Sequence, residues 1–283
     1  MDKKLAIIKT VLDKLYVKYN HHDLIKPDPL QFVYRYNKPS DQEIVALLSA
    51  DLAYGRVEQI QKSLTKLFQL MGDSPYEFVR GFGKVERKKL QGFKHRFTTG
   101  QDISNLLTCL KKVLKKHKNI EEFFIDGCNP DDTNIIKGLS NFCNSLVKIY
   151  ASEHKGKTSQ GLNYLLVNPT NGSACKRLNL FLRWMIRDDD VDAGLWNSID
   201  KRKLIVPIDV HMGRLCRILG FHNKKNISLS TAIQITERFA EIEPDDPVKY
   251  DFALSRIGIV ENCNGQYRNE CRECELFPLC RQI

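Results

Sequence analysis

The sequence predicts an all-α protein. Three observations carry that reading. Apolar residues recur at the helical interval through most of the chain, as at Leu5, Ile8, Val11, Leu12 and Leu15, which fall on one stripe. Capping residues and glycine or proline stops bound these runs. No turn of the Asn-Gly type stands between two alternating strands, so no hairpin is expected. Many short helices of this kind suit a globule rather than a long bundle.

The elements follow in order. Residues 4–19 make a first helix, and Asp28-Pro29 breaks the segment after it. Ser40-Asp-Gln-Glu43 has the form of a capping box, in which Ser40 accepts from the N–H of Glu43 and Glu43 reaches back. A helix is predicted from there through Ile44, Val45, Leu47 and Leu48 to about Ala53. Gly55 loosens the chain before a helix from Glu58 to Leu70. Shorter helices are expected at 75–81 and 85–91, then at 102–117, 120–126 and 134–151. Residues 152–172, with Gly156, Gly161, Asn168-Pro169 and Asn171-Gly172, read as loop-rich. Ser173 caps a strongly apolar helix carrying Leu178, Phe181, Leu182, Trp184, Met185 and Ile186, and Asp188-Asp189-Asp190 stops it. The stretch from Ile205 runs extended into Pro207 and enters a helix with Asp209 at its mouth. Met212, Leu215, Cys216 and Leu219 form its apolar face, and Gly220 ends it. Helices at 229–242 and 246–258 follow, the second opening on Asp246 as cap with Pro247 in its first position.

The chain has 283 residues, enough for one large domain or two smaller ones. Its net charge of +10 favours a polyanionic partner, most simply nucleic acid. No run of about 18 apolar residues exists, so no membrane-spanning helix is expected. Lys9 and Asp13 interrupt what would be the apolar part of a signal peptide. A cytoplasmic protein is therefore predicted, nucleoid-associated if bacterial.

Nine cysteines is an odd number, which speaks against a disulfide framework. Four of them, Cys263-x7-Cys271-x2-Cys274-x5-Cys280, share one short loop with Asn262, Asn264, Gly265 and Asn269. Such a loop can wrap its thiolates round a [4Fe–4S] cluster. Zinc is the alternative, although its usual paired knuckles are represented only by Cys271 and Cys274.

Lys176 lies in the first turn of the apolar helix. On a surface it would be an ordinary solvated lysine. In a cleft, a desolvated amine is a nucleophile able to attack a sugar C1′ and form a Schiff base. A carboxylate nearby, for which Asp209 is the candidate, would steady the developing positive charge and help move the proton. On the bland reading Asp209 is only a helix cap; the two roles are compatible. Lys201, Arg202 and Lys203, just before Asp209, are the candidate phosphate contacts.

Ile208-Asp209-Val210-His211, followed by Arg214 and Leu215, resembles the V-D-T-H-x2-R-[VL] segment of the helix-hairpin-helix GPD DNA glycosylases, whose catalytic carboxylate is that aspartate. The terminal cysteines are similar to the iron–sulfur loop of the endonuclease III branch, with one residue more in the first gap. Ala46-Leu-Leu-Ser-Ala50 is similar to the L-L-S-A-Q segment of that branch, with Asp51 in place of its glutamine. The whole chain looks like a poorly characterised bacterial family related to that superfamily. The glycines of the usual hairpin are missing, Ser173-Ala-Cys-Lys176-Arg177 stands in their place, and residues 188–202 form an insertion. A lengthened hairpin of this kind is similar to that of the archaeal 8-oxoguanine glycosylases.

The resemblance implies a two-domain helix-hairpin-helix glycosylase-like fold with a C-terminal iron–sulfur loop. A six-helix barrel would occupy 41–175, and a second domain would combine 1–40 with 176–283. The cleft between them would take a flipped base, with Trp184 lining it. The implied protein is a monomer acting on duplex DNA, a base-excision glycosylase with AP-lyase activity that removes an oxidised base. Two alternatives stand beside it: a non-catalytic iron–sulfur nucleic-acid-binding protein, and a monofunctional glycosylase using water.

Overall fold

The structure, a computed structural model, describes residues 2–259, 263 and 265–280. It is mostly helical, as the periodicity predicts. In chain order come α1 (Lys3–Tyr19), a 3₁₀ turn at Pro29–Arg35, α2 (Pro39–Asp51), α3 (Val57–Met71), α4 (Pro75–Arg80) and α5 (Lys84–Leu90). A small hairpin, β1 (Lys94–His95) and β2 (Thr98–Thr99), leads into α6 (Gly100–Lys116). Then follow α7 (Ile120–Ile125), α8 (Ile136–Glu153), α9 (Gln160–Leu165), α10 (Lys176–Ile186), α11 (Val210–Ile218), α12 (Leu229–Ala240), α13 (Asp251–Ile259) and α14 (Phe277–Cys280).

The amphipathic helix α6 collects α4, α5 and α8 against its apolar face. Far along the sequence, α13 packs against both α1 and α11, so the two ends of the chain meet. Between these groups run α2 and α10, packed on each other. Every residue of α2 from Ile44 to Asp51 is buried, which marks it as a core helix with no solvent face. Among the described residues no helix is long and apolar enough to cross a membrane.

Four local expectations are corrected. The helix α2 starts at Pro39 rather than after Ser40, because proline in a first turn is pre-set for helix and needs no N–H. Glu43 is consequently free for another helix. Its buried carboxyl accepts from the N–H groups of Ile120 (2.8 Å) and Glu121 (3.0 Å) at the start of α7. Ser173 does not cap α10: its hydroxyl accepts from Cys175 N, and Cys175 itself, in the left-handed region, stands before Lys176. Asp246 is not a cap either. It faces Arg187, whose Nε lies 3.0 Å away, and α13 begins only at Asp251. Finally, the hairpin at 94–99 was not expected, since its tip is Arg96-Phe97 and carries none of the usual turn residues.

The segment 188–202, an insertion only by the resemblance above, folds back on the end of α10. Ala193 N donates to Trp184 O and Trp196 N to Met185 O, which satisfies carbonyls that a helix end leaves open. Asp192 becomes buried between Arg183 (3.1 Å from Nε) and Arg187. The Trp196 ring packs against Phe124 and Phe181, and its indole N–H donates to Glu43 Oε1 at 2.8 Å. The insertion thus fastens α10 to α2 and α7.

Candidate active site

A cavity of about 610 Å³ opens where several segments of the chain converge. Ala53, Tyr54 and Gly55 reach it from the end of α2. Lys176 and Arg177 come from the head of α10, and Pro207 to Met212 from the approach to α11. Asp251 and Ser255 of α13 complete the wall with Asp28. Its size falls in the range of small-molecule sites, roughly 300–1,000 Å³.

Asp209 is the N-cap of α11, as its position at the helix mouth predicts. Its Oδ1 accepts from Met212 N at 2.9 Å, and its backbone is extended. The side chain is exposed to the cavity rather than packed away. One oxygen is thereby fixed at the positive end of the helix dipole.

Lys176 occupies the first position of α10 and lines the same cavity, half-buried. The residue before it, Cys175, holds φ 46° and ψ 41°, a conformation that costs a non-glycine residue about 1 kcal/mol or more. Cys175 is held there by its thiol, which donates to Val167 O at 3.1 Å, and by the Ser173 hydroxyl. This sharp entry turns the first residue of α10 towards the cavity. Among the described residues the Lys176 ammonium makes no hydrogen bond or close ion pair; its electrostatic partner is Asp251.

Asp251 is a site residue that the sequence reading passed over. It is fully buried, and Arg183 Nη1 donates to its Oδ2. Burial pushes its pKa up; the charges of Arg183 and Lys176 pull it back, and Asp209 pushes it up again. Asp251 therefore senses both predicted catalytic residues. The available signal was a carboxylate set between Tyr250 and Phe252 in an otherwise apolar run. Asp28 is the third carboxylate of the wall. Its Oδ1 caps the 3₁₀ turn at Leu30 N (2.9 Å) and its Oδ2 accepts from Arg256 at 3.2 Å.

Other predicted residues lie elsewhere. Trp184 does not line the cavity: it is 0% exposed, a core side chain of α10. Its position on the apolar face, needed for packing against α10's neighbours, leaves it no path to solvent. Lys201, Arg202 and Lys203 form a 3₁₀ turn outside the cavity lining. Arg202 folds onto Asp200 and Lys203 reaches Pro130 O, while Lys201 stands 3.8 Å from Asp246. Asp51, which stands in place of the glutamine of the similar segment, is wholly buried behind Arg177, which donates to its backbone carbonyl at 2.7 Å.

Cys263, Cys271, Cys274 and Cys280 are free thiols, each half-buried. Burial pushes the Cys280 thiol up to about 11, and the charges of Cys274, Cys263 and Cys271 add to that. Arg214 of α11 donates to Cys263 O at 2.9 Å. Gly265, at φ +82°, lets the Arg214 stem cross it, where a Cβ would sit 2.8 Å from Arg214 Cδ. The loop is thereby pinned to the helix that Asp209 caps. By chemistry alone, four thiols are the donor set that an iron–sulfur cluster takes. Among the described residues, no three His, Cys, Asp or Glu side chains are already arranged to hold a metal ion.

Residues 28–260 match a family described as "Protein of unknown function (DUF2400)", and the chain belongs to that family. No curated protein and no solved structure matches the chain. The match corrects the expected membership of the helix-hairpin-helix GPD superfamily: no match to that superfamily or to an endonuclease III family accompanies it. The similarity rested on one short segment around Asp209, a second around Leu48 and the cysteine spacing, which together are too little to assign a family.

Proposed function

We propose that this DUF2400 protein is a DNA-processing enzyme that acts at the sugar C1′ of a nucleotide turned out of the duplex, as a glycosylase with AP-lyase activity. One observation carries the reading. Lys176 and Asp209, on different helices, line a single cavity, and buried Asp251 lies within electrostatic reach of both. The proposal rests on that geometry and on the net charge of +10, which suits a polyanionic substrate. An oxidised base is the proposed leaving group.

The chemistry follows from the groups in the wall. The Lys176 amine adds to C1′ as the bond to the base breaks, and the proton that the amine loses passes through a carboxylate to the departing base. On a base-free sugar the same amine condenses with the aldehyde and expels water. A carboxylate takes a proton from C2′ of the resulting iminium, the C3′–O bond breaks with its electrons leaving on the 3′ phosphate, and water then hydrolyses the imine, freeing the lysine and an unsaturated sugar aldehyde. Asp209, held by its cap bond, faces the positive charge that develops on the sugar.

The finer architecture belongs to the same proposal. Residues 41–175 would form one domain, and 1–40 with 176–283 the other, in a monomer with the cavity between them. The four cysteines would hold a [4Fe–4S] cluster that braces the loop against α11. An absorption band near ~400 nm with acid-labile sulfide supports the cluster; a colourless protein carrying zinc replaces it.

Incubation with duplexes bearing 8-oxoguanine, an oxidised pyrimidine or an abasic site, followed by borohydride, tests the reaction. The expected result is a covalent adduct that Lys176→Gln abolishes. Base release without an adduct would make water the nucleophile. Binding with neither would leave a non-catalytic DNA-binding protein.

A further inference from the structure

The hairpin between α5 and α6 places an aromatic side chain where nothing in the fold requires one. Phe97 stands at its tip and is 71% exposed, among the most exposed large apolar side chains in the described structure. His95 pairs with Thr98, so Arg96 and Phe97 alone make the turn. Arg96 holds φ 51°, at a position where two-residue hairpins of this geometry favour glycine.

Below that strained tip the hairpin is firmly held. His95 is fully buried, its ring nitrogens 2.9 Å from Ser63 Oγ and 3.0 Å from Tyr54 O. The Tyr54 hydroxyl in turn donates to His95 O at 2.9 Å and lies 2.8 Å from Thr98 Oγ1. Phe97 is thus presented on a rigid base.

That base adjoins the cavity. Tyr54 and Gly55 both line it. The Arg96 side chain lies against Gly55, where a Cβ would come within 2.7 Å of Arg96 Cδ. From the rim outward, Tyr54 packs edge-on to Tyr164 with centroids 5.5 Å apart, and Tyr164 to Phe97 at 6.2 Å. Guanidinium groups accompany the rings: Arg177 is 4.7 Å from the Tyr164 centroid and Arg96 is 5.4 Å from that of Phe97. Exposed rings interleaved with arginines suit flat, unpaired bases on a phosphate backbone.

We infer that Phe97 is a stacking wedge, which takes the place of the nucleotide drawn into the cavity and stacks on the base beside the gap. This deepens the proposed reading by naming the DNA feature that the site selects: a locally unstacked position rather than intact duplex. A rigid apolar side chain inserted at a base step unstacks it at a cost, which the new ring contact offsets. Arg96 would lie along the phosphate beside the gap, while Arg177, bonded to the carbonyls of Asp51 and Tyr164, holds the Tyr164 ring in place.

The test uses the full-length protein and two duplexes, one fully paired and one carrying a tetrahydrofuran abasic analogue. That analogue has no aldehyde, so binding to it is independent of Schiff-base chemistry. Phe97→Ala is expected to weaken binding to the tetrahydrofuran duplex roughly 5- to 150-fold, the affinity equivalent of one stacked base. Phe97→Trp should restore it, and affinity for the paired duplex should stay within about two-fold for both. Equal affinity of Phe97→Ala and wild type for the tetrahydrofuran duplex, or an equal loss on both duplexes, overturns the wedge alone. A wild-type protein that binds neither duplex overturns the DNA reading together with it. Wedge behaviour without any borohydride adduct supports this inference and removes only the lyase step.

Discussion

Arg183 of α10 donates to the carboxylate of Asp251 on α13, and both side chains are buried beneath the cavity that Lys176 and Asp209 share. Arg183 also meets Asp192 of the insertion, with Nε 3.1 Å from Oδ1. Removing one member of a desolvated pair strands the other charge. Asp251→Ala is expected to lower unfolding free energy by about 3–5 kcal/mol, measured in urea. A loss below about 1 kcal/mol would mean that the pair is hydrated and does not order the cavity floor.

Asp209 caps α11 and, in the proposed reaction, faces the charge that develops on the sugar; one substitution separates the two roles. Asparagine caps a helix about as well as aspartate, so Asp209→Asn should keep the bond to Met212 N and lie within about 0.5 kcal/mol of wild-type stability. Its cleavage rate should nevertheless fall by about 100-fold or more, since the carboxylate charge is gone. Asp209→Ala should lose the rate and also about 1 kcal/mol of stability. A fully active Asp209→Asn protein would reduce Asp209 to a cap.

Buried Asp51 gives stability a pH dependence with a definite sign. Neither of its oxygens has a hydrogen-bond partner. Burial pushes its pKa up to about 7, while the Arg177 charge pulls it back. The unfolded carboxyl titrates near ~3.9. Between those values the folded protein holds a proton that the unfolded chain has released, so this group's contribution falls as pH rises through the window and levels off above it. Asparagine has no such proton. The stability difference between Asp51→Asn and wild type should therefore grow from about pH 4 to pH 7, to the order of a few kcal/mol, and stay constant above. A difference that does not change with pH would show that Asp51 is hydrated in the folded state.

The insertion is a brace, and Trp196 is its anchor. Trp196→Phe keeps a ring against Phe124 and Phe181 but removes the N–H that Glu43 accepts. A loss of about 1–3 kcal/mol is expected by urea unfolding, with Lys176 adduct formation retained at permissive temperature. No loss would mean that water replaces the indole.

Much of the fold was legible because it is written in period. The stripes of α1, α6 and α10 follow from spacing alone, and Asp209 as a cap follows from its place before an apolar face. Features set by tertiary contact were not legible. Arg96 accepts a left-handed turn because Tyr54 and Ser63 lock the hairpin below it, which no turn propensity signals. Asp246 looks like a cap beside Pro247, but Arg187, distant in sequence, takes its carboxylate. The site was half legible: Lys176 and Asp209 stood out by chemistry and do line one cavity, whereas Asp251 and Asp28 enter it only through the packing of α13 and the 3₁₀ turn.

In the proposed reaction the Lys176 amine is the group that bonds to the sugar. The most direct measurement is peptide mapping by mass spectrometry of the borohydride-trapped complex with an abasic duplex. A single modified peptide with the sugar remnant on Lys176 is expected. A remnant on any other residue, or no adduct from a protein that still cleaves the strand, would contradict it.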